Sequence, residues 1–172
     1  MQWSEIIEHP SLQDLPFKIE TNEYGQIVMS AATNKHGTLQ VKIGDFIRDA
    51  MTDGERINEC SIQTSKGVKV ADVVWLSDDF IKQHGYKTPY QKAPEVCVEI
   101  VSRSNTKKEM TEKQTLYFER GAKEVWLCYE SGKIEFYNSK GLTEQSTVFP
   151  DFPAKIFVPW LDKKTSKNSK SD

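Results

Sequence analysis

Two segments of the chain are apolar throughout except for one acidic residue each. They are residues 71–76, Ala-Asp-Val-Val-Trp-Leu, and residues 96–101, Val-Cys-Val-Glu-Ile-Val. Apolar, β-branched runs with no polar face predict strands that are buried on both sides of a sheet. An ionised carboxylate in such a strand costs several kcal/mol unless a cation or hydrogen bonds compensate it. Asp72 and Glu99 are therefore predicted to have a compensating partner, either a divalent metal or a lysine.

A helical pattern follows the second of these strands, over residues 106–121. Thr106 and Glu109 have the spacing of a capping box, and Gly121 is typical of a helix stop. Offsets of three and four residues define one inward face of this helix, and that face holds Met110, Lys113, Leu116 and Tyr117. Lys113 is therefore predicted to point toward the sheet and to offset part of the carboxylate charge.

The remaining pattern predicts an α/β order. A short helix is expected from residue 3 to 9, a strand pair at 17–21 and 26–30, a helix at 34–51, a strand at 56–64, a loop from 77 to 94, and strands at 95–101, 124–129 and 133–138. A crossover helix should place the Glu99 strand parallel to the Glu124 strand. The predicted fold class is a mixed β-sheet core flanked by helices, with an N-terminal strand pair.

Length and composition limit the number of domains and the class of protein. The 172 residues, 37% of them apolar, predict one domain over residues 1–162, followed by a disordered polar tail over residues 163–172. The formal charge of −2 argues against indiscriminate binding of nucleic acid.

The sequence shows no sign of a membrane protein or a secreted protein. The amino terminus lacks a basic region followed by an apolar core, and no stretch is long enough to span a bilayer. Cys60, Cys97 and Cys128 form no Cys-x-x-Cys pair and are predicted to be buried thiols in a reducing compartment. We therefore expect a cytoplasmic protein.

The order of the charged residues resembles a known family. Asp72, then Glu-Ile-Val-Ser-Arg-Ser over residues 99–104, then Lys113 is similar to the Uma-type family of restriction endonucleases, a branch of the PD-(D/E)xK nuclease superfamily. Further similarity lies at residues 17–20, 25–30 and 121–127, and at His36-Gly37 with Gln40, so that the resemblance runs from about residue 17 to about residue 137. It implies a restriction-endonuclease-like core.

The chain departs from the superfamily motif at two positions. Ala71 stands where the motif has its proline, and Val101 stands where the motif has its lysine. The family resembled here supplies that lysine from the following helix, which identifies Lys113 as the substitute.

The resemblance also implies a set of site residues. Asp72 and Glu99 would bind Mg²⁺ or Mn²⁺ together with the backbone carbonyl of Ile100, and hard oxygen ligands suit these ions. Lys113 would orient the attacking water, and Glu20 would approach the acidic cluster. Further residues are expected to contact substrate: His36, Gln40, Lys107 and Lys108.

Three interpretations remain open from the sequence. The first is metal-dependent hydrolysis of phosphodiester bonds in nucleic acid, with DNA favoured and with a homodimer expected if both strands are cut. The second is a catalytically silent nuclease-fold protein for binding or assembly, and the third is a purely structural ion cluster. Glu20 could equally be an exposed edge-strand residue, and His36 a hydrogen-bonded core residue. Because the carboxylates should repel without metal, Asp72→Asn is expected to leave the metal-free protein no less stable.

Overall fold

The computed structural model of the protein describes residues 1–162. Its elements are α1 (Trp3–Glu8), a 3-10 turn (Pro10–Leu12), β1 (Phe17–Thr21), β2 (Ile27–Ala31), α2 (Asn34–Ala50), β3 (Glu55–Thr64), β4 (Gly67–Leu76), α3 (Asp78–His84), β5 (Val96–Val101), α4 (Lys107–Glu119), β6 (Glu124–Tyr129), β7 (Ile134–Asn138), β8 (Gly141–Thr143) and α5 (Pro159–Asp162). The tail predicted over residues 163–172 lies outside the described residues.

The strands form two sheets. β1 and β2 pair as an antiparallel hairpin, and the six remaining strands form one mixed sheet in the order β3-β4-β5-β6-β7-β8. β5 and β6 are parallel, because α4 crosses between them, and the other neighbours are antiparallel. The predicted mixed α/β fold with an N-terminal strand pair is confirmed, as is the parallel pairing of the Glu99 and Glu124 strands.

Local signals define the helices that flank the sheet. Both hydrogen bonds of the Thr106–Glu109 capping box are present at the start of α4. Helix α3 occupies part of the segment that was predicted to be a loop, so that prediction is wrong there. The Ser77 side chain caps α3 and Phe80 is its buried residue. A helix this short carries too few apolar residues to show a helical period.

The sheet separates two apolar cores. One core lies between the sheet and α2, where Leu39, Ile43 and Ile47 pack against residues that include Trp126. The other core lies on the side of α4 and includes Tyr117. The three cysteines are free and buried, as predicted. Within residues 1–162, no helix combines the length and the apolar character needed to cross a bilayer.

β4 and β5 separate where the two lone carboxylates lie. Their pairing covers only Val73 to Trp75 of β4 and Val96 to Val98 of β5. Asp72 and Glu99 come immediately after the last pair, at a fork in the sheet. Beyond the fork, side chains of β1 accept hydrogen bonds from backbone amides of β4. Thr21 Oγ1 accepts a hydrogen bond from the Val68 amide at 2.7 Å, and Glu20 Oε1 accepts one from the Val70 amide at 2.8 Å.

A third buried carboxylate, that of Glu124, lies outside the fork and anchors the loop that follows β8. Glu124 accepts hydrogen bonds from the side chains of Trp126, Ser146 and Thr147 and from the amides of Thr147 and Val148. Burial alone would raise the pKa of Glu124, but these donors outweigh it and the pKa is lowered. Glu124 forms no ion pair with any residue of the range 1–162, so its charge is stabilised by hydrogen bonds.

We predict that Glu124→Gln lowers the free energy of unfolding by about 3 kcal/mol at pH 7, because the substitution removes a charged acceptor and directs an amide donor at other donors. A carboxyl with a depressed pKa contributes stability above its unfolded pKa of about 4.3 and loses that contribution as the pH falls through the folded pKa. Urea unfolding should therefore show the difference between variant and wild type shrinking below about pH 4. Exposed Glu55→Gln is the control, and a constant difference across this pH range would contradict the account.

Candidate active site

Asp72 is the central acceptor of the fork, with 1% of its surface exposed. Its Oδ1 contacts Lys18 Nζ at 2.6 Å and His36 Nε2 at 3.2 Å, and its Oδ2 accepts from the Ile100 amide at 2.7 Å. Burial by itself would raise the pKa of Asp72, but the Lys18 charge and the His36 hydrogen bond outweigh it and hold that pKa far below its usual range. Asp72 is therefore ionised at neutral pH.

Glu99 is also buried but has a different electrostatic environment. Its Oε1 accepts from the Tyr117 hydroxyl at 2.6 Å, and its Oε2 contacts Lys113 Nζ at 3.2 Å and Lys18 Nζ at 3.7 Å. Burial raises the pKa of Glu99, and the two lysines offset that rise only in part. The predicted repulsion between the two carboxylates also raises the pKa of Glu99. Asp72 has the closer cation, Lys18, and its pKa is lowered.

Lys113 points inward from α4, as the helix pattern predicts. Its ammonium contacts Glu20 Oε1 at 2.8 Å in addition to Glu99. Burial would lower the pKa of Lys113, but the charges of Glu99 and Glu20 raise it. For Glu20, burial raises the pKa and the charge of Lys113 lowers it, with a net decrease. The structure therefore brings Glu20, Asp72, Glu99 and Lys113 together.

Lys18 is a site residue that the sequence pattern did not identify. Its side chain is only 11% exposed, and its Nζ contacts both Asp72 and Glu99. The sequence does contain a signal for Lys18. It lies two residues before Glu20 on β1, and side chains two residues apart on a strand share a face, so Lys18 is expected on the same side as Glu20. The cluster therefore contains two lysines where one was expected.

His36 and Gln40 approach the fork from the first turns of α2. Gln40 Nε2 donates to the Asp72 carbonyl at 2.8 Å and to Glu59 Oε1 at 2.6 Å. Glu59 has a φ of 54°, and the β3–β4 ladder is interrupted at Glu59 and Asp72. A left-handed residue inside a strand carries no sequence signal when it is not glycine, so Glu59 was also missed.

The site offers ligands that fit a hard divalent cation. His36, Glu59 and Asp72 each present a ligand atom, and these atoms lie within 4.8 Å of one another. Carboxylate oxygens suit Mg²⁺ and Mn²⁺, and an imidazole nitrogen favours Mn²⁺ or another transition metal over Mg²⁺. This set shares only Asp72 with the ligands expected from the sequence. The roles of Glu99 and of the Ile100 carbonyl as metal ligands stay predictions, since Ile100 contacts Asp72 through its amide.

The fork opens into a narrow cleft of about 100 Å³, lined by residues of β1, β2, α2, β4, β5 and α4. A cleft of this size admits a phosphate or a water but no nucleotide, so a polymer would bind across its mouth. Lys107 and Lys108 lie exposed at the start of α4 and are not among the lining residues. A wider groove of about 760 Å³ lies at the other end of α2, beside Phe46 and Trp75, and contains none of the predicted site residues.

A family model covers almost the whole described chain. The model is that of Uma2, described as "Putative restriction endonuclease", and it matches residues 9–158. The chain belongs to the Uma2 family. Comparison with curated proteins gives no significant match. The resemblance inferred from the residues is confirmed, and the match extends beyond the predicted range at both ends.

A solved structure shares the fold of this Uma2 protein. It is described as a "putative nuclease belonging to DUF820" from Anabaena variabilis, and it superposes with a TM-score of 0.68 at 16% sequence identity, over 95% of this chain and 92% of that chain. At this identity the comparison establishes the fold only.

Proposed function

We propose that this Uma2 protein is a metal-dependent nuclease that hydrolyses phosphodiester bonds, with DNA as the favoured substrate. The observation that carries the proposal is the convergence of Asp72, Glu99 and Lys113, from three separate elements, on one fork in the sheet. Family membership supports nuclease chemistry in general. The divalent metal, the DNA substrate and the individual residue roles are our proposal.

Asp72 would hold Mg²⁺ or Mn²⁺, either with Glu99 and the Ile100 carbonyl or with His36 and Glu59. When bound, the cation supplies Lewis-acid polarisation of the scissile phosphate and a water of lowered pKa. Lys113 would donate a hydrogen bond to that water and offset charge on the phosphate oxygens, a preorganised effect worth about 3 kcal/mol for one donor. Glu20 accepts from Lys113 and so orients the ammonium, while the Tyr117 hydroxyl holds Glu99 in place.

One observation favours the third interpretation left open by the sequence, a purely structural ion cluster. Asp72 and Glu99 each already have a lysine partner, Lys18 for Asp72 and Lys113 for Glu99, so neither carboxylate requires a metal for its compensation. In that interpretation the fork would serve only to stabilise the fold and would bind no metal, whereas a catalytically silent nuclease-fold protein would bind metal without cutting.

Incubation of purified protein with supercoiled and single-stranded DNA tests the proposal. Nicked or linear product with Mg²⁺ or Mn²⁺, and none with chelator, would support it. Metal binding without cleavage of either DNA or RNA would favour the silent alternative. Cleavage that persists in chelator, or in an Asp72→Asn protein, would point to a contaminating nuclease or a different mechanism.

We further propose that Lys107 and Lys108 contact the phosphate backbone near the cleft mouth. Alanine at both positions should weaken DNA binding for all sequences alike and reduce the slope of log K against log salt by about 1.8, because two phosphate contacts are lost. Fluorescence anisotropy over a salt series measures this slope. The matched control is alanine at Lys82 and Lys87, exposed lysines outside the cleft lining. A change confined to one DNA sequence would contradict a backbone role.

A cytoplasmic location and a two-fold homodimer belong to the same proposal. A dimer would place two forks on opposite strands of a duplex. Sedimentation with and without DNA tests the dimer, and a monomer that makes only nicks would replace it.

A further inference from the structure

We infer that Lys18 is a built-in competitor of the divalent cation, whose ammonium lies between Asp72 and Glu99 and must leave before a cation can bridge them. The inference rests on the metal dependence proposed above and concerns the regulation of that same site.

The geometry distinguishes Lys18 from Lys113. Lys18 Nζ lies 2.6 Å from Asp72 Oδ1 and 3.7 Å from Glu99 Oε2, so one ammonium contacts both carboxylates. Lys113 contacts Glu99 and Glu20 but forms no ion pair with Asp72. Among residues 1–162, Lys18 is the cation that bridges the two carboxylates of the fork. It occupies the position that a bridging metal would take.

Two cations compete for these oxygens. Mg²⁺ binds oxygen at about 2.0–2.1 Å, and Asp72 Oδ1 already has an ammonium at hydrogen-bond distance. Like charges this close repel strongly in a site with little exposure to water. Lys18 must therefore swing away when the metal binds, which its flexible four-carbon stem permits without movement of the backbone.

The hairpin itself is held in place by other contacts. Thr21 and Glu20 bond the amides of β4, as described above, and Lys69 Nζ donates to the Thr21 carbonyl at 2.8 Å. None of these bonds involves Asp72 or Glu99. The competition is thus local to the Lys18 side chain, and its removal should change the metal affinity without detaching β1.

The first test is calorimetric titration of Mn²⁺ into wild-type protein and into Lys18→Met. Methionine keeps the length of the stem and removes the charge. We expect the variant to bind Mn²⁺ at least about tenfold more tightly, because the competing cation is gone. Lys87→Met is the control, since Lys87 is an exposed lysine outside the cleft lining, and the Mn²⁺ affinity of this variant should change by less than about twofold.

Three results would overturn the inference: equal or weaker Mn²⁺ binding by Lys18→Met, the same gain in Lys87→Met, or no Mn²⁺ binding by either wild type or Lys18→Met. The last result would also contradict the proposed metal dependence of the nuclease. Tight Mn²⁺ binding with the expected gain but with no cleavage of DNA or RNA would overturn the nuclease function alone.

The second test uses wild-type protein and remains decisive if Lys18→Met does not fold. Brief reductive methylation with and without saturating Mn²⁺, followed by peptide mass spectrometry, reports the accessibility of each lysine amine. Modification of Lys18 should rise severalfold with Mn²⁺, while Lys113, which keeps its Glu20 contact, and exposed Lys87 should not change. An unchanged Lys18 at full Mn²⁺ occupancy, or a rise shared by Lys113, would overturn the inference.

Discussion

Lys113→Ala is expected to abolish cleavage while leaving metal binding intact. Lys113 contacts Glu99 and Glu20 but not Asp72, so its loss removes the proposed water-orienting donor and leaves the Asp72 side of the site unchanged. A misplaced or missing catalytic group costs on the order of a hundredfold or more. Single-turnover cleavage rates measure the first effect and Mn²⁺ titration the second, both at a temperature where circular dichroism shows the variant folded. Lys87→Ala is the control, because Lys87 is an exposed lysine outside the cleft lining.

Adding Val101→Lys to Lys113→Ala should restore part of the cleavage. Val101 lies two residues after Glu99 on β5, and side chains at this separation share a face of the strand. An ammonium from either position could therefore reach the same water. Wild-type cleavage by the Lys113→Ala protein would eliminate this role for Lys113, and Lys18 would then be the next candidate for the water-orienting donor.

Asp72→Asn is expected to destabilise the metal-free protein by about 3–5 kcal/mol, since it leaves the buried ammonium of Lys18 without its closest partner. The sequence alone led to the opposite expectation, because it showed two repelling carboxylates and one lysine. The 2.6 Å contact between Lys18 and Asp72 reverses that expectation. The same variant should lose the Mn²⁺-induced stabilisation, which for wild type is about 2.7 kcal/mol at a hundred times the dissociation constant. Urea unfolding with and without Mn²⁺ measures both effects.

A double-mutant cycle isolates the ion pair. If Asp72→Asn leaves Lys18 unpaired, removing the Lys18 charge as well should relieve part of the loss. The free energy of unfolding of the Asp72→Asn, Lys18→Met double variant should then be about 2 kcal/mol higher than the sum of the two single effects predicts. Asp45→Asn is the surface control, because Asp45 pairs with Arg48 where both side chains are largely exposed, and its effect should stay below about 1 kcal/mol. Additive effects of the Asp72 and Lys18 changes would show that the pair does not stabilise the fold.

The sequence by itself determined the main features of the sheet and part of the site. Lone carboxylates in apolar runs identified Asp72 and Glu99, and the helical period with its capping box directed Lys113 inward. These signals are local, because strand and helix periods and caps depend on residues within a few positions of one another. The order of those residues along the chain was also sufficient to identify the Uma2 family.

The tertiary structure alone decided how the charges at the fork are balanced. Lys18 and Asp72 are 54 residues apart, and they meet only because the β1–β2 hairpin packs on the part of β4 that β5 leaves unpaired. The left-handed backbone of Glu59 and the bridging position of Gln40 likewise depend on how α2 lies across the interrupted ladder. Partner choice in a buried cluster is set by long-range packing, and no period or spacing along the chain encodes it.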